Sequence, residues 1–152
     1  MSNLYCMACK EFVAERDKHD CPSKYIAAVD KEMAGIAGRL FDMGITPMIA
    51  VWSATELGET KGYEYLLTMK IDIGRKINKV VLGDLPAGWK YHWEMLSPDG
   101  MGLHMIVYVE HWYNMGPETL YDRICKKIKE LEEYLDTLDI EGIKALLLLA
   151  DD

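Results

Sequence analysis

Cys6, Cys9, His19 and Cys21 form a C-x2-C-x9-H-x-C array that uses three of the four cysteines of a 152-residue chain. Thiolate sulfur and imidazole nitrogen are the ligands zinc takes in tetrahedral sites, and a C-x2-C turn lets two sulfurs face one ion while backbone amides soften their charge. His19 and Cys21 are two apart before Pro22, so on extended backbone their side chains leave on the same side and close the site. With three sulfurs and one nitrogen on the ion, no position remains for water or substrate, and the expected role is structural. Lys10 stands where zinc knuckles often carry glycine, and no second C-x2-C follows. Ordinary reduced thiols and a disulfide or redox pair are the competing readings. A redox motif needs C-x-x-C to open a helix after a strand, and only five residues precede Cys6. Cys125, on a predicted helix, competes with His19 for the fourth position, although a helical cysteine is more often a small hydrophobe.

A second set of reactive side chains falls on predicted strands. Alternation places His92 and Glu94 on one face of a strand, and His104, Tyr108 and Glu110 on one face of its hairpin partner. Were the two faces to coincide opposite the helices, two imidazoles and two carboxylates could bind a divalent metal or serve as an acid and base pair. The plainer reading is a solvated polar sheet face. His111 alternates onto the apolar side with Leu103, Met105, Val107 and Val109, where a hydrogen-bonded core or edge role is expected. Tyr91, Trp93, Tyr108, Trp112 and Tyr113 could stack bases or sugars, but core packing accounts for them equally well. No Walker loop, G-x-G-x-x-G, H-E-x-x-H or serine-elbow motif is present.

These groups need elements to hold them. Ile26, Val29, Met33, Ile36, Ala37 and Leu40 recur at helical spacing and predict one helix over 23–43, capped by Ser23 and ended by Gly44. Its Ala34, Gly35 and Gly38 leave room for a close approach, expected to be helix-on-sheet packing rather than a ligand. Residues 48–55 suit a strand. Tyr63, Tyr65, Leu67, Met69, Ile71 and Ile73 alternate with Glu64, Leu66, Thr68, Lys70 and Asp72, giving a strand with one buried face. Residues 89–96 and 103–112 form the next hairpin around Ser97-Pro98-Asp99-Gly100, and 76–83 is ambiguous between strand and helical turn. Pro117 opens a helix over 117–138 with Leu120, Tyr121, Ile124, Ile128, Leu131, Leu135 and Leu138 on one stripe. A last helix, 140–150, is apolar nearly all round and is either buried or a contact between copies of the chain.

The expected fold is α+β: a two-layer sandwich in which an antiparallel sheet of four to five strands is packed by the helices. A zinc-knuckle-like module over 1–22 precedes an α+β domain over 23–152. The chain is long enough to bury roughly 68–70% of its unfolded surface. Its 17 basic and 25 acidic side chains give a net charge of −8, which repels phosphate backbones and acidic lipid surfaces and argues against nucleic acid as a partner. The first 20 residues hold no basic stretch followed by an apolar one, and the apolar run 145–150 is far below the ~20 residues that span a bilayer. A cytoplasmic protein is expected, in which reduced cysteines remain free for metal.

The run DKEMAGIAGRLFDMGITPMIAVWS at 30–53, GYEYLLTMKI at 62–71 and LPAGW at 85–89 resembles small uncharacterised proteins of phages and mobile elements in Firmicutes. In those proteins the strand after the helix tends to end in a Cys-Ser-Gly-His-like turn. This chain has Trp52-Ser53-Ala54-Thr55 there, so the resemblance implies a fold and a setting and carries over no chemistry. The sequence therefore points to an accessory or regulatory binding protein for a protein or small-molecule ligand. The rival is a small metal-dependent or acid/base enzyme, hydrolase-like, using His92, Glu94, His104 and Glu110.

Overall fold

Period-two alternation builds the centre of the sheet. In β5 (Glu64–Asp72) the side chains of Leu67, Met69 and Ile71 are fully buried on one face, while Thr68 and Lys70 point to the other. The computed structural model describes residues 3–56, 64–73, 81–95 and 103–150. Besides β5 it contains β1 (Asn3–Cys6), β2 (Glu11–Phe12), β3 (Ile26–Val29), β4 (Ile49–Glu56), β6 (Lys90–Met95) and β7 (Leu103–Asn114). The helices are α1 (Ala34–Asp42), α2 (Pro117–Asp136) and α3 (Ile140–Ala150). The strands join in one sheet of order β2-β1-β3-β4-β5-β7-β6. All described pairs are antiparallel except β3 with β4. A parallel pair needs a crossover, and α1 supplies it.

The sheet therefore has seven strands, not four or five, and is mixed. Two of the added strands, β1 and β2, are too short to show a period. The third is β3, which occupies the first half of the helix expected over 23–43. Ile26, Ala27 and Val29 are all buried, so the segment is apolar on both faces, and such a run does not distinguish a strand from a buried helix turn. Flanking edges decide for the strand: Cys6 pairs with Ile26 on one side, and Ala28 pairs with Ile49 on the other. A 3-10 turn at Lys31–Met33 then leads into α1. Gly44 ends α1 as expected, at φ 94°, with the amides of Gly44 and Ile45 returning to the carbonyls of Phe41 and Leu40. The turn at 97–100 and the ambiguous stretch 76–80 lie outside the described residues.

The helices cover one face. Leu120, Ile124, Ile128, Leu131 and Leu135 of α2 are all at least 97% buried, and each such side chain contributes about 1.5–3 kcal/mol. That outweighs the surface ion pairs, which contribute about 0–1 kcal/mol each. Ion pairs set the register instead: Arg39 of α1 meets Glu132 and Asp136 of α2, both at 2.8 Å. In α3, Ile143 and Leu147 are buried, while Leu148 and Leu149 are more than 70% exposed. No helix among the described residues is long and apolar enough to cross a membrane.

Candidate metal centre and the open sheet face

Two short arms build the cluster. The first is the β1–β2 hairpin, in which Cys6 ends β1 opposite Glu11 and the intervening turn carries Cys9. The Lys10 amide donates to the Cys6 carbonyl at 2.8 Å, and the Cys9 amide donates to the Cys6 sulfur at 3.4 Å. Lys10 is the one non-glycine residue with positive φ among those described, at 62°. It adopts the left-handed conformation that makes glycine frequent at this point of a knuckle. The second arm is a 3-10 turn, Arg16–Lys18, that delivers His19 on extended backbone (φ −99°, ψ 139°). The Arg16 guanidinium donates to the carbonyls of Ser23 and Ile26 at 2.9 and 2.7 Å, stapling this arm to the start of β3.

The donor atoms of Cys6, Cys9, His19 and Cys21 all lie within 4.8 Å of one another, an arrangement that could hold a metal ion. Cys9 Sγ is 3.4 Å from Cys21 Sγ and 3.5 Å from His19 Nε2. Cys6 is buried, Cys9 exposed, and the other two half-buried. Burial opposes ionisation of Cys6, but the amides of Cys9 and Ala8 and the side chains of His19 and Cys21 outweigh it and bring the thiol down to about 7. The neighbouring Cys21 and Cys6 sulfurs push the Cys9 thiol up to about 12. One thiol is thus prepared as an anionic ligand, and Cys9 holds a proton that a cation would displace. Cys125 lies outside the cluster, half-buried on α2.

On the sheet, the register brings the second candidate set onto one face. His92 pairs with Ile106 and Glu94 with His104, while Tyr108 and Glu110 follow along β7 opposite Lys70 and Thr68 of β5. Directly paired residues share a face, and this one lies opposite the helices. Of the four candidates, His92 and Glu110 lie on it, and the side chains of Glu94 and His104 fall outside the described residues. Glu110 is four residues from Ile106, the strand partner of His92, about 13 Å at strand rise. A shallow cavity of about 320 Å3 on this face is lined by Thr68, Lys70, His92, Ile106, Tyr108 and Glu110.

The five aromatics do not form one platform. Tyr91, Trp93 and Tyr113 pack against the core, Tyr108 lines the open face beside His92, and Trp112 projects from that face at 62% exposure. His111, on the helix side, is exposed and stacks edgewise on Tyr113. The close approach at Gly35 and Gly38 is made by side chains rather than by the sheet: Glu132 reaches Gly35 and Lys10 reaches Gly38. A polar group that periodicity does not mark joins three elements. Trp52 Nε1 and the Tyr121 hydroxyl both donate to the Glu32 carboxylate, at 3.2 and 2.8 Å.

The class these features define is a mixed α+β protein with a thiolate–imidazole cluster beside the sheet. No protein family matches the chain, and no curated protein or solved structure is measurably similar to it.

Proposed function

We propose that this is a small cytoplasmic accessory or regulatory binding protein, with a structural zinc ion holding its N-terminal hairpin and the open sheet face receiving a protein or small-molecule ligand. The convergence of four donors within 4.8 Å carries the reading. Zinc–sulfur bonds of about 2.3 Å hold tetrahedral neighbours about 3.8 Å apart, close to the spacing of Cys9 with Cys21 and His19. Four protein ligands fill the coordination shell, which supports a structural ion over a catalytic one. The separation of His92 from Glu110 along the sheet supports recognition over a reaction at one atom. The cavity beside them offers hydroxyl, ammonium, imidazole and carboxylate groups over an apolar floor at Ile106.

Elemental mass spectrometry of protein purified without added metal tests the ion. About one zinc per chain is expected, falling to near zero in Cys6→Ser with a large loss in melting temperature. Zinc-free protein with an unchanged melt in that variant would overturn the reading. For the ligand surface, amide shift mapping against a small-molecule library is expected to cluster at Thr68, Lys70, His92 and Tyr108.

A further inference from the structure

The four donors are not equivalent toward solvent. Cys6 is fully buried and pinned by strand pairing on both sides, to Glu11 and to Ile26. Cys9 sits in the turn and is exposed, Cys21 is half-buried in irregular chain, and their sulfurs are 3.4 Å apart. A disulfide needs about 2.0 Å, so the two sulfurs need to close by only about 1.4 Å.

We propose that Cys9 and Cys21 are a modification site for hydroperoxides, which link them in a disulfide and expel the metal. This deepens the structural-zinc reading and rests on it. A hydroperoxide is small and neutral enough to reach the exposed Cys9 sulfur. The Cys9 thiolate attacks one peroxide oxygen, the O–O bond breaks, and the departing oxygen leaves as water or an alcohol after taking a proton. The sulfenic acid so formed on Cys9 is attacked by the Cys21 thiolate. The S–S bond forms, the S–O bond breaks, and hydroxide leaves and is protonated to water. The two thiolates lose two electrons, the peroxide gains them, and solvent supplies two protons. Only Cys6 and His19 then remain on the ion, too few to hold it. Cys6 is disfavoured as the partner because its paired backbone keeps it in place and burial shields it.

The test uses the full chain, purified reduced and exchanged into reductant-free buffer. Metal content is measured first, then hydrogen peroxide is titrated in while a chromophoric chelator reports release, and thiols are mapped by alkylation and peptide fragmentation. About one metal ion should be released for every two thiols lost, with Cys9 linked to Cys21 and both Cys6 and Cys125 still alkylated. Reductant plus zinc should restore the starting state, and Cys125→Ser should behave as the parent. Metal retained under excess peroxide overturns the proposal and leaves the zinc site standing. So does release with Cys6 in the linkage, with Cys9 oxidised but uncrosslinked, or only when Cys125 is present. Absence of metal before any peroxide is added overturns the zinc reading itself, and the proposed release with it.

Discussion

Lys10 Nζ lies 2.8 Å from Asp42 Oδ1, a contact across 32 positions that fastens the turn carrying Cys9 to the end of α1. The same ammonium donates to the Met7 carbonyl at 2.7 Å and stands 5.2 Å from the Phe41 ring centroid. Its backbone is left-handed. One residue thus carries both a conformational strain and the tether that offsets it.

Separating the two effects predicts an order of stabilities. Lys10→Ala keeps the strained backbone and loses the tether, which should cost about 1–2 kcal/mol, since the ion pair is half exposed and contributes less than the carbonyl contact. Lys10→Gly loses the same contacts but relieves about 1 kcal/mol of left-handed strain. Melting temperatures should fall from parent to Lys10→Gly to Lys10→Ala. An alanine variant more stable than the glycine variant would remove strain from the account.

Legibility in the sequence followed the range of the interactions. The α2 stripe and the alternation of β5 are local periodic patterns, and both elements form where the pattern puts them, within about two residues. The Cys and His donors were readable because few residue types serve that chemistry and their spacing is short. Residues 26–29 misled because an apolar run without a polar face has no period, and only the neighbouring strands decide it. The Lys10 tether and the Glu32–Trp52–Tyr121 group join residues 20 to 89 positions apart, and no local pattern announces such contacts.

Gly35 sets a helix-propensity gain against an ion pair. A Cβ there would lie 2.6 Å from Glu132 Oε2 and 3.0 Å from Arg39 Nη1, so the Glu132 side chain has to swing away. Alanine in the helix gains about 0.5–1 kcal/mol, and the half-buried Arg39–Glu132 pair contributes up to about 1 kcal/mol. Gly35→Ala alone should be neutral within about 0.5 kcal/mol, by cancellation. In a Glu132→Ala background only the flexible end of the Arg39 side chain has to shift, and the same change should stabilise by about 0.5–1 kcal/mol in urea titrations. Equal effects in both backgrounds would show that Glu132 does not respond to Gly35.

Cys6 should ionise well before Cys9 in metal-free protein. Its folded value of about 7 lies below the ordinary 9, so the native state releases the proton before the unfolded chain does. Its contribution is therefore complete above about 9 and is lost as pH falls through about 7. Cys9, held near 12, works oppositely: its contribution is present below about 9 and is lost as pH rises through about 12. Ultraviolet thiolate absorbance of the metal-free protein should show a first step near pH 7 that Cys6→Ser abolishes. A first step at the ordinary thiol value, or one that survives the substitution, would count against the amide and side-chain hydrogen bonds as its cause.

Glu32 gives the acid limb of the stability profile a specific residue. Burial pushes its carboxyl upward, but the Tyr121 hydroxyl, its own backbone amide, the Trp52 indole and the Lys31 charge outweigh that and hold it below the ordinary 4.5. The unfolded chain therefore takes up the proton first as pH falls. The stabilisation is complete above the ordinary carboxylate value and disappears as pH drops through the lower folded one. Tyr121→Phe keeps the edge-on ring contact with Trp52, 6.3 Å between centroids, and deletes only the hydroxyl that reaches Glu32. At neutral pH the variant should be less stable than the parent. That gap should narrow in acid, because a protonated Glu32 accepts a weaker hydrogen bond than the carboxylate does. Other depressed carboxyls, such as Asp136 beside Arg39, titrate alike in both proteins and cancel in the difference. Urea unfolding of both proteins at neutral and acidic pH reads this directly, and a gap that stays constant into acid would mean the hydroxyl is not what holds the Glu32 carboxylate down.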